Sequence, residues 1–137
     1  MCGIVGYLGS RPALPLLLEG LKRLEYRGYD SAGVCVRRAD GLSTCREVGK
    51  VAALEARVGQ ELDRFQGCEG IAHTRWATHG VPAERNAHPH RDDQSRISLV
   101  HNGIIENYQT IKTALESKGR KFSSETDTEV LAMLVAE

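Results

Sequence analysis

Apolar residues along the chain fall into short runs and helical stripes separated by polar turns. Residues 3–8 form an apolar run with Ile4, Val5 and Tyr7, closed by Gly9 and Ser10, and read as a buried strand. Residues 14–26 place Leu17, Leu21 and Leu24 at helical spacing, with Pro12 and Pro15 suited to a helix start. Residues 32–37 and 44–48 are strand candidates around a turn at Asp40–Gly41. Val51, Leu54, Val58 and Leu62 line one face of a helix over 51–62. Strands follow at 70–74 and 97–101. Between them, residues 75–95 hold Gly, Pro, Asn and His without periodicity, a loop long enough to suggest function. A helix over 106–118 carries Tyr108, Ile111 and Leu115, with Gly119 as its stop. Thr126-Asp127-Thr128-Glu129 reads as a capping box that opens a last apolar helix.

That helix meets no Gly, Pro or polar tail before Glu137, which predicts that the chain is a piece of something longer, with exposed sheet edges and poor solubility alone. The element order predicts one domain, an α+β layered fold. Length (137 residues) and a 41% hydrophobic content fit one real core. Eighteen basic and eighteen acidic residues balance, so nothing in the charge points to nucleic acid or an anionic membrane. No apolar run is long enough for a membrane span, and the start lacks a signal-peptide pattern. A cytoplasmic, reducing location is therefore expected. Cys2, Cys35, Cys45 and Cys68 show no C-x-x-C spacing, and Cys35 reads as a buried small hydrophobe.

The position of Cys2 changes the picture. Once Met1 is removed, one residue carries a thiol and an α-amine. Their ordinary pKa values, about 8.5 and about 7.7–8.0, are close enough for the amine to take the thiol proton. The plain alternative is a strand-edge cysteine. Asn102–Gly103 lies between apolar runs. It reads either as a hairpin turn or as an oxyanion hole, with a side-chain N–H from Asn and a close backbone N–H from Gly. Arg75 suits a carboxylate, or is a surface charge; Trp76 beside it is the chain's only tryptophan. Asp127 suits a substrate ammonium, or simply a helix N-terminus. All five histidines fall at 73–101, but no pair has helical i, i+4 spacing, and a metal site is disfavoured.

Six stretches in order carry a resemblance: residues 1–6 (Met-Cys-Gly-Ile-Val-Gly), 24–33 (Leu-Glu-Tyr-Arg-Gly-Tyr-Asp-Ser-Ala-Gly), 73–80 (His-Thr-Arg-Trp-Ala-Thr-His-Gly), 86–90 (Asn-Ala-His-Pro-His), 101–107 (His-Asn-Gly-Ile-Ile-Glu-Asn) and 124–129 (Ser-Glu-Thr-Asp-Thr-Glu). Together they resemble the glutaminase domain of the class II, N-terminal-cysteine glutamine amidotransferases. The resemblance implies the N-terminal part of the αββα sandwich of N-terminal nucleophile hydrolases, incomplete at its C-terminus. It implies Cys2 as nucleophile, with its own amine as base, and Asn102 and Gly103 as the oxyanion hole. Arg75 and Asp127 would hold the α-carboxylate and α-ammonium of L-glutamine, with Thr78 and His79 alongside. Trp76 would gate a lid loop, and Arg27 would support the cysteine terminus.

No cofactor or metal is implied. The motif wording is most similar to the members whose ammonia passes to a C-terminal sugar isomerase domain, here lacking, to aminate fructose 6-phosphate. A homodimer is expected for the full-length protein. Two alternatives stay open: a non-catalytic fragment that binds glutamine, and the glutaminase domain of another class II amidotransferase.

Overall fold

The computed structural model describes residues 1–77 and 79–137. Four antiparallel strands, β1 (Gly3–Leu8), β2 (Ser31–Arg38), β3 (Gly41–Val48) and β4 (Glu69–Arg75), form a sheet in the order β1-β4-β2-β3. Helix α1 (Ala13–Leu24) connects β1 to β2 and α2 (Val51–Gly59) connects β3 to β4. A two-stranded hairpin, β5 (His90–Arg91) and β6 (Ser98–Leu99), follows, then α3 (Tyr108–Ser117) and α4 (Asp127–Val135).

Side chains alternate across the sheet, because successive residues of a strand point to opposite faces. Ala32, Val34 and Val36 of β2 and Ala72 of β4 meet Leu14, Leu17 and Leu21 of α1 and Val51, Leu54 and Val58 of α2 in the main core. Each fully buried leucine there contributes roughly 2 kcal/mol by removal of apolar surface from water. Pro12 sits at the N-cap of α1 and Pro15 in its first turn, where a missing N–H breaks no helical bond. The carboxylate of Glu25, in a 3-10 turn after α1, accepts the first N–H of α2, from Val51, at 2.6 Å.

The opposite face of the sheet carries Gly33 and His73, and the chain around His88 lies directly on it. A Cβ at Gly33 would come within 1.9 Å of the His88 carbonyl oxygen, so only glycine fits. The rings of His73 and His88 stand 4.2 Å apart. Beyond this segment α4 covers the hairpin, and Leu115, Val130 and Met133 form a second core with Tyr108, Ile111 and Phe122. The layers therefore run helix, sheet, sheet, helix, the expected αββα order with a small second sheet.

Four expectations shift in detail. The helix expected over 51–62 ends at Gly59, and Leu62 opens a separate 3-10 turn and is exposed. The β2–β3 loop is Ala39–Asp40, and Gly41, at φ +139°, already pairs with Arg38. The last strand before Asn102 shrinks to Ser98–Leu99. Residues 75–95 are not featureless, since they hold a 3-10 turn (Glu84–Asn86) and β5.

Candidate active site

β1 and β4 run side by side, pairing Gly3 with Thr74, so the start of the chain lies beside the end of β4. The Thr74 hydroxyl accepts the Gly3 N–H at 3.0 Å, which fixes the Cys2 side chain against the turn that follows Arg75. The Trp76 N–H donates to Cys2 Sγ at 3.1 Å, and the thiol donates to the Trp76 carbonyl at 3.6 Å.

That turn is held by Asp30, a residue the sequence did not single out. Its Oδ2 accepts the Ala77 N–H at 2.5 Å, its Oδ1 accepts the Ser31 hydroxyl at 2.8 Å, and its own N–H donates to the Arg75 carbonyl at 2.7 Å. Trp76 is thus gripped on both sides. Trp76 is 56% exposed, and its ring packs on Gly28, whose φ of +102° and closeness to the ring both exclude a side chain.

Cys2, Arg75, Trp76, His79, His88, His101, Asn102, Gly103, Thr126, Asp127 and Thr128 line one small cavity. Every residue expected to act on substrate therefore converges there, except Thr78, which lies outside the described residues. Arg75 is 2% exposed, and its guanidinium donates to the carbonyls of His79, Gly80 and Val81. Its strand places it on the cavity face, two residues beyond His73. Asp127, at the first position of α4, accepts the Ile105 N–H at 2.8 Å and stands 3.8 Å from His79 Nδ1. A carboxylate there also gains from the helix N-terminus.

Asn102–Gly103 is not a hairpin turn, for no strand follows it among the described residues; the segment runs on towards α3. The His101 ring folds back over Gly103, 2.9 Å from where a Cβ would be. Arg27 does not line the cavity. Its carbonyl accepts the Met1 ammonium at 2.7 Å, and its guanidinium reaches Met1 Sδ at 3.6 Å.

Beneath the cavity lies a buried row of histidines. His88 stacks on His73 and meets His90 edge-on at 4.7 Å. His88 Nε2 is 2.9 Å from Thr128 Oγ1, and His90 Nε2 is 2.8 Å from Thr126 Oγ1. Burial pushes the His73 pKa down to about 4, with the His101 backbone offsetting only part of the effect. Burial, with Arg46 and Arg75 nearby, pushes His90 down to about 3. Burial and the flanking His73 and His90 lower His88 as well. These imidazoles are neutral at pH 7. Among the described residues, no three of His, Cys, Asp or Glu are grouped to hold a metal ion.

The site thus comprises a buried thiol at a strand start, a buried guanidinium and a buried carboxylate around a small cavity, on an αββα frame. A family profile described as "Glutamine amidotransferase domain" matches residues 58–137, and the chain belongs to that family. The glutamine–fructose-6-phosphate aminotransferase [isomerizing] of Thermus thermophilus is 58% identical over 137 residues, all of this chain and 22% of the relative. That of Gloeobacter violaceus is 54% identical over 136 residues, 99% of this chain and 22% of the relative. The chain thus spans about a fifth of these relatives. Among solved structures, glutamine phosphoribosylpyrophosphate amidotransferase from B. subtilis, complexed with ADP and GMP, superposes over all of this chain and 29% of its own, with TM-score 0.80 and 28% identity. An allosteric regulatory enzyme of purine biosynthesis gives 0.82 and 29% over all of this chain and 30% of its own. No helix among the described residues is long and apolar enough to cross a membrane.

Proposed function

We propose that residues 1–137 are the glutaminase domain, incomplete at its C-terminus, of a glutamine–fructose-6-phosphate aminotransferase. The observation that carries the reading is the convergence of Cys2, Arg75, Asn102, Gly103 and Asp127 on one cavity. Arg75 and Asp127 receive the α-carboxylate and α-ammonium of L-glutamine, with Thr78 and His79 beside them. The Cys2 thiol gives its proton to its own α-amine, and sulfur attacks the side-chain amide carbon. Asn102 and Gly103 donate to the oxyanion. The amine returns the proton to the leaving ammonia, a thioester forms, and water hydrolyses it to glutamate. Trp76 gates the cavity and Arg27 steadies the terminus. The ammonia passes to a sugar isomerase domain beyond this chain and aminates fructose 6-phosphate. The full-length protein is a cytoplasmic homodimer with no nucleic-acid partner, and the step needs no cofactor.

A second reading, a glutamine-binding module without turnover, is favoured only where Met1 is retained, because a peptide nitrogen cannot serve as the base. Intact mass of the full-length protein, before and after an electrophilic glutamine analogue, separates the two. Loss of Met1 and a single adduct on Cys2, blocked by glutamine, is expected. No adduct on a Met1-free chain, or an adduct elsewhere, overturns the mechanism.

A further inference from the structure

The proposed chemistry uses none of the buried histidines, yet His88 reaches the cavity wall from below. Its Nε2 meets Thr128 Oγ1 at 2.9 Å. That same hydroxyl stands 3.5 Å from His101 Nδ1 and 3.5 Å from Asp127 Oδ1. Thr128 is the second residue of α4, and His101 precedes Asn102–Gly103 and lays its ring over Gly103. One buried hydroxyl therefore joins the loop that carries the oxyanion donors to the helix start that carries the acid.

Proton counting gives this junction a direction. A neutral imidazole has one N–H. His88 Nδ1 has no hydrogen-bond partner among the described residues, so a proton there is an unmade donor in a buried site. It also turns Nε2 into an acceptor that takes the only hydrogen of Thr128. With the proton on Nε2, His88 donates to Thr128, and the threonine hydrogen is left for the side where His101 Nδ1 and Asp127 Oδ1 lie. His88 cannot drift from this pose. Its carbonyl presses on Gly33, and its ring is held between His73 and His90.

We propose that His88 is a positioning residue for amide hydrolysis: through Thr128 it holds segment 101–103 against the start of α4, fixing the oxyanion donors relative to the acid that receives the substrate ammonium. The proposal rests on the glutaminase reading above. An oxyanion donor acts only when aimed at where charge develops, and losing one costs about 10²–10³ in rate; a mis-aimed pair loses less, on the order of tenfold.

The test uses the full-length protein with His88→Leu, His88→Gln, Thr128→Val and the double variant His88→Leu/Thr128→Val. Glutamate release gives kcat and KM. Titration with an electrophilic glutamine analogue gives the fraction of assembled sites, so kcat is expressed per labelled site. His88→Leu and Thr128→Val are each expected to lower that kcat on the order of tenfold, with KM for glutamine changed less than about threefold. The double variant is expected to be no worse than either single, because both cut one link. Gln keeps a donor near the Nε2 position and is expected to restore most of the rate. Thr128→Val, nearly isosteric, keeps the test sharp if His88→Leu folds poorly. A lowered labelled fraction with unchanged kcat per site means His88 is only structural and overturns the proposal, as do multiplicative losses in the double variant. Cys2→Ser is measured alongside. If it still hydrolyses glutamine, the glutaminase reading falls and this proposal with it; if it is inactive while His88→Leu and Thr128→Val keep their kcat, only this proposal falls.

Discussion

Lowering the pH from 7 to 5 should weaken this domain far more steeply than its carboxylates alone allow. His73, His88 and His90 are buried and their pKa values are pushed down, His73 to about 4 and His90 to about 3, while the same residues unfolded titrate near about 6.5. The sign follows from proton uptake. As pH falls through about 6.5 the unfolded chain binds three protons that the folded chain refuses, so stability is full above that value and is lost towards about 4. Each proton contributes about 1.4 kcal/mol per pH unit, and three together about 4 kcal/mol per pH unit near pH 5.5. From about pH 6.5 to about pH 5 the loss is roughly 5 kcal/mol, a third or more of the stability of an ordinary domain. Glu84 and Asp92, whose pKa values are also lowered, act only below about pH 4.5 and leave this window clear. Native-state hydrogen exchange at β2 and β4 amides, corrected for intrinsic rates, reads the opening free energy of this sheet within a longer protein. A slope of about 1.4 kcal/mol per pH unit or less would refute the reasoning, since at most one histidine would then stay neutral.

Other outcomes follow from the packing and the turn. Gly33→Ala drives a Cβ into the His88 carbonyl; destabilisation of at least about 2 kcal/mol is expected in thermal unfolding, together with loss of Cys2 labelling. Leu17→Ala in the main core is expected to cost about 2–5 kcal/mol with little change in KM of the surviving sites. Asp30→Ala frees the Ala77 N–H and the turn that aims Trp76 at Cys2. A fall in the alkylation rate of Cys2 on the order of tenfold is expected, with Asp30→Asn retaining most of it, and an unchanged rate would mean that Asp30 does not aim the donor.

Much of the frame was legible because apolar spacing is local. The run at 3–8 and the stripe through Leu17 and Leu21 become β1 and α1 with nearly the expected ends. The capping box was half legible. Thr126 does accept the Glu129 N–H, at 3.4 Å, but the Glu129 carboxylate passes over the cap to Ser123 and Ser124, whose N–H groups it accepts at 2.8 and 2.7 Å. That choice depends on how residues 123–124 enter the helix, which local spacing does not encode. Residues 75–95 looked structureless because what orders them is distant: the Asn86 side chain bonds the Glu125 N–H and carboxylate, and His88 bonds Thr128. Cys2, Asn102–Gly103 and Asp127 were singled out by residue type and by the motif stretches that hold them, and all of them line the one cavity. Asp30 and His88 were missed because their roles come from partners 40 or more residues away in the chain. The signals available for Asp30 were its place in the stretch 24–33 and an acid directly before a buried strand.

β4 is the strand through which these layers communicate. It pairs on both sides, and its residues alternate between Ala72, which faces the helices, and His73 and Arg75 on the opposite face, His73 against His88 and Arg75 at the cavity. A slip of one residue against its neighbours would carry a neutral imidazole and a guanidinium into the leucine core and turn Ala72 and Thr74 to the cavity side of the sheet. No intermediate register has a partial site. Labelling of Cys2 therefore counts correctly threaded molecules: a refolding time course followed by adduct formation reports strand alignment, while one followed by helix content alone does not.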